Sequence, residues 1–212
     1  MKIILMGPPG SGKGTQASFL ASITEVNSVS SGDLFRDNLS RDTELGRMAK
    51  TYMDRGKYVP DDVTIGMVMS WIEAPENKKG FVLDGFPRTL LQAESLDDRL
   101  GAIGGVDKVI LFNVPEPELI KRLAGRILCR KCQTPYHKVF SPPVKQGFCD
   151  MCDGELFQRQ DDSEAVVRER LSVYTEETNP VIQRYKELGN LVEIDGSSSI
   201  EEVEQSLREA LE

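Results

Sequence analysis

The chain has 212 residues, 39% hydrophobic and 28% charged, with a formal net charge of −8. That size and balance suit one soluble globular domain with insertions, long enough to bury a sizeable core. The acidic excess argues against a general nucleic-acid binder, and no apolar run approaches the roughly 20 residues that a membrane span needs.

Lys2 to Met6 (KIILM) is a short apolar run, predicted as a strand buried on both faces of a parallel sheet. It is too short for the core of a secretory signal and a glycine-rich loop follows at once, so a cytoplasmic location is expected. After that loop, Ala17, Leu20 and Ala21 recur at helical spacing. A weaker strand is expected near Val26 to Val29, where Asn27 and Ser28 dilute the apolar signal. Leu45, Met48, Ala49 and Tyr52 share a helix face with Gly56 as a stop, and Asp61 is expected to cap the next helix, which carries Ile65, Val68, Met69 and Ile72. Further buried strands are predicted at Phe81 to Leu83, Val109 to Val114 and Leu191 to Ile194. Ile120, Leu123 and Ala124 mark another helix; a long one starts near Ser163, and Pro180 breaks or kinks it. Ser199 and Glu202 form a capping-box pattern ahead of Val203, Leu207 and Leu211. Strands alternating with helices predict an α/β fold, a doubly wound parallel sheet with helices on both faces. Two segments stand outside the alternation: residues 30–59 are mostly helical, and residues 122–159, rich in Cys, Pro and Gly, read as an inserted small module. The core is then 1–29, 60–121 and 160–212.

The loop GPPGSGKGT (Gly7 to Thr15) matches Gly-x-x-x-x-Gly-Lys, except that Gly14 stands between Lys13 and Thr15. Glycines such as Gly10, Gly12 and Gly14, with Ser11 between them, let backbone N–H groups turn inward around an anion, and the following helix adds its positive end. Lys13 supplies a point charge that can follow a moving phosphoryl group, and the Thr15 hydroxyl is placed for a phosphate or the Mg²⁺ shell. Such a loop alone indicates a nucleoside triphosphate and leaves open a switch, a motor, a transporter subunit or a kinase. Downstream, FVLDGFPR (Phe81 to Arg88) is a buried strand ending in an acid, then a turn, then an arginine. Asp84 at a strand's carboxyl end can hold a water of the Mg²⁺ shell, and Arg88 points at the same crevice. Cys129-x-x-Cys132 and Cys149-x-x-Cys152 lie sixteen residues apart, the spacing of a zinc ribbon with a closed, structural Zn²⁺ site. Two disulfides or four unrelated thiols are the alternatives.

Gly7 to Thr15, Ser31-Gly32-Asp33 with Arg36, and Asp84 to Arg88 with Gln92 resemble the adenylate kinase family in order and spacing, over the whole chain and in the form with a full-sized lid. The resemblance implies a P-loop nucleoside monophosphate kinase fold in which 30–59 is an AMP-binding insertion and 122–159 a lid, some members carrying a metal there. It implies MgATP as donor, AMP as acceptor and ADP as the shared product, in the service of adenine nucleotide balance. The implied donor contacts are Gly10, Ser11, Gly12, Lys13, Gly14, Thr15, Arg122, Arg126, Pro135, Tyr136 and the backbone at Ser198. Implied for AMP are Ser31, Arg36, Lys57, Tyr58, Val59, Gly85, Phe86, Pro87, Arg88, Gln92, Arg159 and Arg170. Lys13, Arg36, Arg88, Arg126, Arg159 and Arg170 would neutralise the transferring group, with Asp84 tethering Mg²⁺ through water. Guanidinium forks suit phosphate oxygens, and the Gln92 amide offers both an acceptor and donors to an adenine edge. Nothing points to an acid–base role for the single histidine, His137. Ser31 keeps the hydroxyl of the more usual threonine, whereas Pro135 stands where a polar residue is usual. A same-fold kinase with another acceptor or donor base is the nearest rival. A nucleotide-gated module docking a partner through its zinc ribbon is a rival of another class, against which the acceptor-side arginines speak. No nucleic-acid or membrane partner is expected, and a monomer is the default.

Overall fold

The computed structural model describes residues 1–212. In chain order the elements are β1 (Lys2–Met6), α1 (Lys13–Thr24), β2 (Asn27–Ser30), α2 (Ser31–Ser40), α3 (Glu44–Met53), α4 (Asp61–Ile72), β3 (Phe81–Asp84), α5 (Leu90–Gly101), β4 (Lys108–Asn113) and α6 (Glu116–Ala124). Three short strands follow, β5 (Arg126–Cys129), β6 (Pro135–His137) and β7 (Leu156–Phe157), and then α7 (Glu164–Val173), α8 (Asn179–Glu187), β8 (Leu191–Asp195) and α9 (Ile200–Leu211).

Five strands make one parallel sheet in the order β2-β3-β1-β4-β8. Successive side chains of a strand point to opposite faces, and here both faces are covered. Ile4, Met6, Leu83, Val109 and Leu111 pack against Val68 and Ile72 of α4, Ala93, Leu96 and Leu100 of α5, and Val181 and Tyr185 of α8. Ile3, Leu5, Val82, Ile110 and Phe112 face the other way, onto Ala17 and Leu20 of α1 and Val203 and Leu207 of α9. That is why these strands read as unbroken apolar runs. β2 is an edge strand with Asn27 and Ser28 exposed, which accounts for its faint signal.

One local expectation is corrected and another is made specific. Asp61 is the first residue inside α4, with Pro60 at the cap position, and its carboxylate is used elsewhere. The α-helix is interrupted ahead of Pro180, as a turn of π-helix at Tyr174–Thr178 links α7 to α8, and Pro180 sits in the first turn of α8, where no intrahelical N–H is needed. The capping box at Ser199 and Glu202 forms as expected.

Residues outside the sheet form small satellites. Phe35, Ala49 and Val59 share a core with Leu45, Met48 and Tyr52 of α3. β5 is the middle of an antiparallel three-stranded sheet, β6-β5-β7, with Cys129, Tyr136 and Cys149 buried beside it. No helix is long and apolar enough to cross a membrane. Because the main sheet is parallel, the residues that follow β1, β2, β3 and β8 emerge at one edge. That edge is where α/β sheets bind ligands.

Candidate active site

A cavity of about 1200 Å³ opens at that edge, bounded by the Gly7–Thr15 loop, the start of α2, the turn after β3, the β5–β6 hairpin and residues 196–200. The loop's shape depends on glycine. Gly7 has φ +143°, and a Cβ there would lie 2.8 Å from the Ser11 Oγ and 2.9 Å from the Phe112 carbonyl. Gly12, at the start of α1, has φ +92° in open space, so only its conformation demands glycine. Lys13 Nζ folds back to donate to the carbonyls of Gly7 (2.7 Å) and Pro8 (2.9 Å) and to the Ser11 Oγ (3.2 Å). Burial lowers its pKa to about 8; Asp84 opposes that shift, while Arg88, Arg170 and Arg126 add to it. Burial also raises the Asp84 carboxyl, against the pull of Lys13 and Arg88. A Cβ on Gly14 would meet the Asp84 Oδ2 at 3.6 Å. The glycine that departs from the strict loop pattern thus leaves the space beside this carboxylate open.

Across the cavity, Ser31 Oγ donates to the Gly85 carbonyl at 2.6 Å and Arg88 Nε to the same oxygen at 2.8 Å. The Arg88 guanidinium also lies over the Tyr58 ring, 5.0 Å from its centroid. Tyr58 and Thr178 share a hydroxyl contact of 2.9 Å, and Thr178 donates to the Arg88 carbonyl. Arg36 is paired with Asp33, and Arg159 stands 3.8 Å from the same carboxylate. Arg159 is largely buried and its Nε has no hydrogen-bond partner. Burial and the neighbouring Arg36 and Arg126 depress its pKa to about 9. A bound anion would relieve this crowding of positive charge.

Two adjacent carboxylates hold the remaining arginines. Asp162, fully buried, accepts from Arg126 Nε (2.8 Å) and Nη2 (2.6 Å) and from Arg170 Nη1 (3.2 Å). Asp161 accepts from Arg170 at 3.0 Å; burial alone would raise its pKa, but Arg170, Arg159 and Arg126 hold it below the usual carboxylate range. One strand of the small sheet and one core helix thereby present cations from a common anchor.

Of the other site residues expected from sequence, Arg122 donates from α6 to the Gly196 carbonyl at 2.7 Å, and Ser198, Pro135, Lys57 and Val59 line the cavity. Two expected residues turn their side chains elsewhere. The Phe86 side chain is 1% exposed, in the core against the sheet, and is absent from the cavity wall. Tyr136 reaches the cavity, but its hydroxyl accepts from the Asp150 N–H at 2.8 Å and meets the Cys149 Sγ at 3.4 Å, inside the small sheet's core. Gln92 lines the cavity with its amide already engaged, Oε1 accepting from the Arg88 N–H and Nε2 donating to Asp61. Roles for Asp161, Asp162 and Thr178 do not emerge from sequence, which offers Asp61 only as a helix cap. The acidic pair beside Arg159 was visible there, whereas nothing near Thr178 marks it.

All four cysteines are free thiols whose sulfurs lie within 4.8 Å of one another. Cys129–Cys152, Cys132–Cys149 and Cys132–Cys152 are 3.4, 3.5 and 3.3 Å apart. Thiolates about 2.3 Å from a tetrahedral zinc ion would sit about 3.8 Å apart. The N–H groups of Lys131 and Cys132 point at the Cys129 sulfur, the support a thiolate ligand needs. The set fits a structural Zn²⁺.

The family described as "Adenylate kinase" matches this chain over residues 5–190. The chain belongs to the adenylate kinase family. Among curated proteins named adenylate kinase, those of Streptomyces avermitilis and Carboxydothermus hydrogenoformans are each 50% identical over all of this chain and over 97% and 100% of their own lengths. That of Archaeoglobus fulgidus is 46% identical over all of this chain and 98% of its own length.

An adenylate kinase carries out reversible phosphoryl transfer between ATP and AMP, with ATP as its Mg²⁺ complex. The hard oxygen donors that Mg²⁺ prefers are present beside the phosphate loop, in Asp84, Asp33 and the Thr15 hydroxyl. Mg²⁺ is usually held by one or two carboxylates and by the phosphates themselves, and this donor set fits that pattern.

Proposed function

We propose that the cavity holds ATP and AMP with their phosphates facing each other, the donor on the Gly7–Thr15 loop and the acceptor against Ser31, Arg36 and Arg88. The observation that carries this reading is the convergence of Lys13, Arg36, Arg88, Arg126, Arg159 and Arg170 on one cavity from opposite walls. An oxygen of the AMP phosphate attacks the γ-phosphorus, the bond from that phosphorus to the β–γ bridging oxygen breaks, and each nucleotide leaves as ADP. The attacking oxygen is already anionic, so no general base is required, and catalysis reduces to positioning and charge neutralisation. Lys13, free to leave the loop carbonyls for phosphate, and Arg126 and Arg170, fixed by Asp162, surround the group in transit. Mg²⁺, when bound near Asp84, neutralises charge on the donor phosphates. His137 is engaged at both ring nitrogens, accepting from Val139 and Phe140 and facing the Lys121 carbonyl, consistent with no catalytic role.

In this reading 1–29, 60–121 and 160–212 form the core, 30–59 receives AMP, and 122–159 closes over the donor and keeps water from the reacting group. Arg122 and the backbone at Ser198 face the donor base. The enzyme is taken as a cytoplasmic monomer whose partners are its nucleotides, without nucleic acid or membrane; four free thiols poised for a metal suit a reducing compartment.

A coupled assay with MgATP and either AMP, GMP, CMP, UMP or no acceptor tests it. ADP formation is expected to depend on AMP. Turnover favouring another monophosphate would reassign the acceptor pocket, and ADP release without acceptor would overturn direct transfer.

A further inference from the structure

Gln92 offers a purine both a donor and an acceptor, and a side-chain amide has two orientations that exchange them. A pocket able to present both orders would accept 6-amino and 6-oxo purines alike. We infer that Asp61 sets the choice by locking the Gln92 amide in one orientation, and so is a specificity-determining positioning residue for the acceptor base. The inference rests on the reading of this wall as the acceptor pocket.

Three hydrogen bonds define the lock. Asp61 Oδ1 accepts from Gln92 Nε2 at 2.7 Å, Asp61 Oδ2 accepts from the Thr89 hydroxyl at 2.9 Å, and Gln92 Oε1 accepts from the Arg88 N–H at 2.8 Å. Thr89 is itself directed, because its oxygen accepts the Gln92 N–H at the start of α5, so its own proton goes to Asp61. Gln92 is 1% exposed, so apart from what fills the cavity its amide has only these protein partners. A carboxylate only accepts and a backbone N–H only donates. Turning the amide over would set carbonyl against carboxylate and NH₂ against N–H, replacing two hydrogen bonds by two repulsions.

In the allowed orientation one N–H of Nε2 and one lone pair of Oε1 remain for a ligand. Adenine presents N6–H as donor and N1 as acceptor, the complement of that pair. A 6-oxopurine presents O6 as acceptor and N1–H as donor, the reverse order, and would need the forbidden orientation. Asp61 thus acts through Gln92 on a base it does not touch.

The test compares kcat/KM for AMP and for inosine monophosphate, with MgATP, in the wild type and in Asp61→Asn, Asp61→Ala and Gln92→Ala. Asparagine, held at its oxygen by Thr89, turns an NH₂ toward Gln92 and calls for Oε1 on that side, against the Arg88 N–H that still calls for Oε1 on its own, so neither amide orientation is favoured by both neighbours. The AMP-to-IMP ratio should fall at least about tenfold in Asp61→Asn and less in Asp61→Ala, which removes one contact of the lock and leaves the Arg88 N–H unopposed. A merely structural role would lower both substrates together and leave the ratio in place. A ratio that collapses in Gln92→Ala yet stays within about threefold of wild type in both Asp61 variants would overturn the inference while sparing the acceptor reading. A ratio unmoved in Gln92→Ala would remove the acceptor-base reading and the inference with it. Should Asp61→Asn fail to fold by thermal melting, Asp61→Ala decides by the same ratio.

Discussion

Lys13 carries its charge at a disadvantage, buried among loop carbonyls and facing three arginines across the cavity, so its pKa drops to about 8. A bound polyphosphate favours the ammonium and raises that pKa again. Between pH 8 and the ordinary lysine value the free enzyme therefore holds fewer protons than the complex. Nucleotide binding should then take up a proton and weaken as pH rises through about 8. Calorimetric titration with MgATP at that pH, in two buffers of different ionisation heat, should report uptake of roughly half a proton per site. Binding with no proton uptake would place the lysine charge elsewhere. Arg88 is held by the Gly85 carbonyl and the Tyr58 ring, on the surface of the cavity and outside the core. Arg88→Ala should lower kcat by on the order of 10²–10³ with an unchanged melting curve; near-normal turnover would take Arg88 out of the active site. The glycine loop, Asp84 and Arg88 were legible in sequence because each sits inside a short contiguous motif. Asp61 was misread as a helix cap because its partners, Thr89 and Gln92, lie 28 and 31 residues away and only the fold brings them together. The burial of the Phe86 side chain has a related reason: a motif gives neighbours in sequence but not which way each side chain turns.

At the scale of elements, the strands buried on both faces were the most legible, since apolar runs of four to six residues leave few other folds. The faint strand and the interruption before Pro180 have local causes, an exposed sheet edge and a π-turn that places Pro180 in a first helical turn. α9 covers one face of the sheet through Val203 and Leu207, and its capping box satisfies N–H groups at its start. Ser199→Ala should destabilise the protein by about 1 kcal/mol, lowering Tm by roughly 2–4 °C in a thermal melt. The small sheet of β5, β6 and β7 has little core beyond Cys129, Tyr136, Cys149 and a few partly buried neighbours, so its order depends on the metal. Cys149→Ser, at a buried ligand position, should reduce bound zinc below one per chain and expose residues 126–157 to proteolysis before the core melts. Unchanged metal stoichiometry would contradict the four-cysteine site.

The molecule as a whole is acidic, with a net charge of −8, yet it gathers eight cationic side chains around one cavity. A cleft of opposite sign to the surface focuses anions and lets the remaining surface stay soluble. The parallel sheet makes this possible by delivering the ends of β1, β2, β3 and β8 to one edge, while α2, α7 and the small sheet bring Arg36, Arg170 and Arg126 over it. The alternation of strands and helices in the sequence already implies that edge. The anchoring of Arg126 and Arg170 on one buried carboxylate required the assembled fold. What the whole arrangement asserts is direct transfer between two nucleotides with water shut out, and the fate of the γ-phosphate measures that most directly. With ATP labelled at the γ-phosphate, the label is expected in the β-phosphate of ADP made from AMP, at a rate that vanishes without AMP, with little inorganic phosphate. Label released as inorganic phosphate at a rate indifferent to AMP would contradict it.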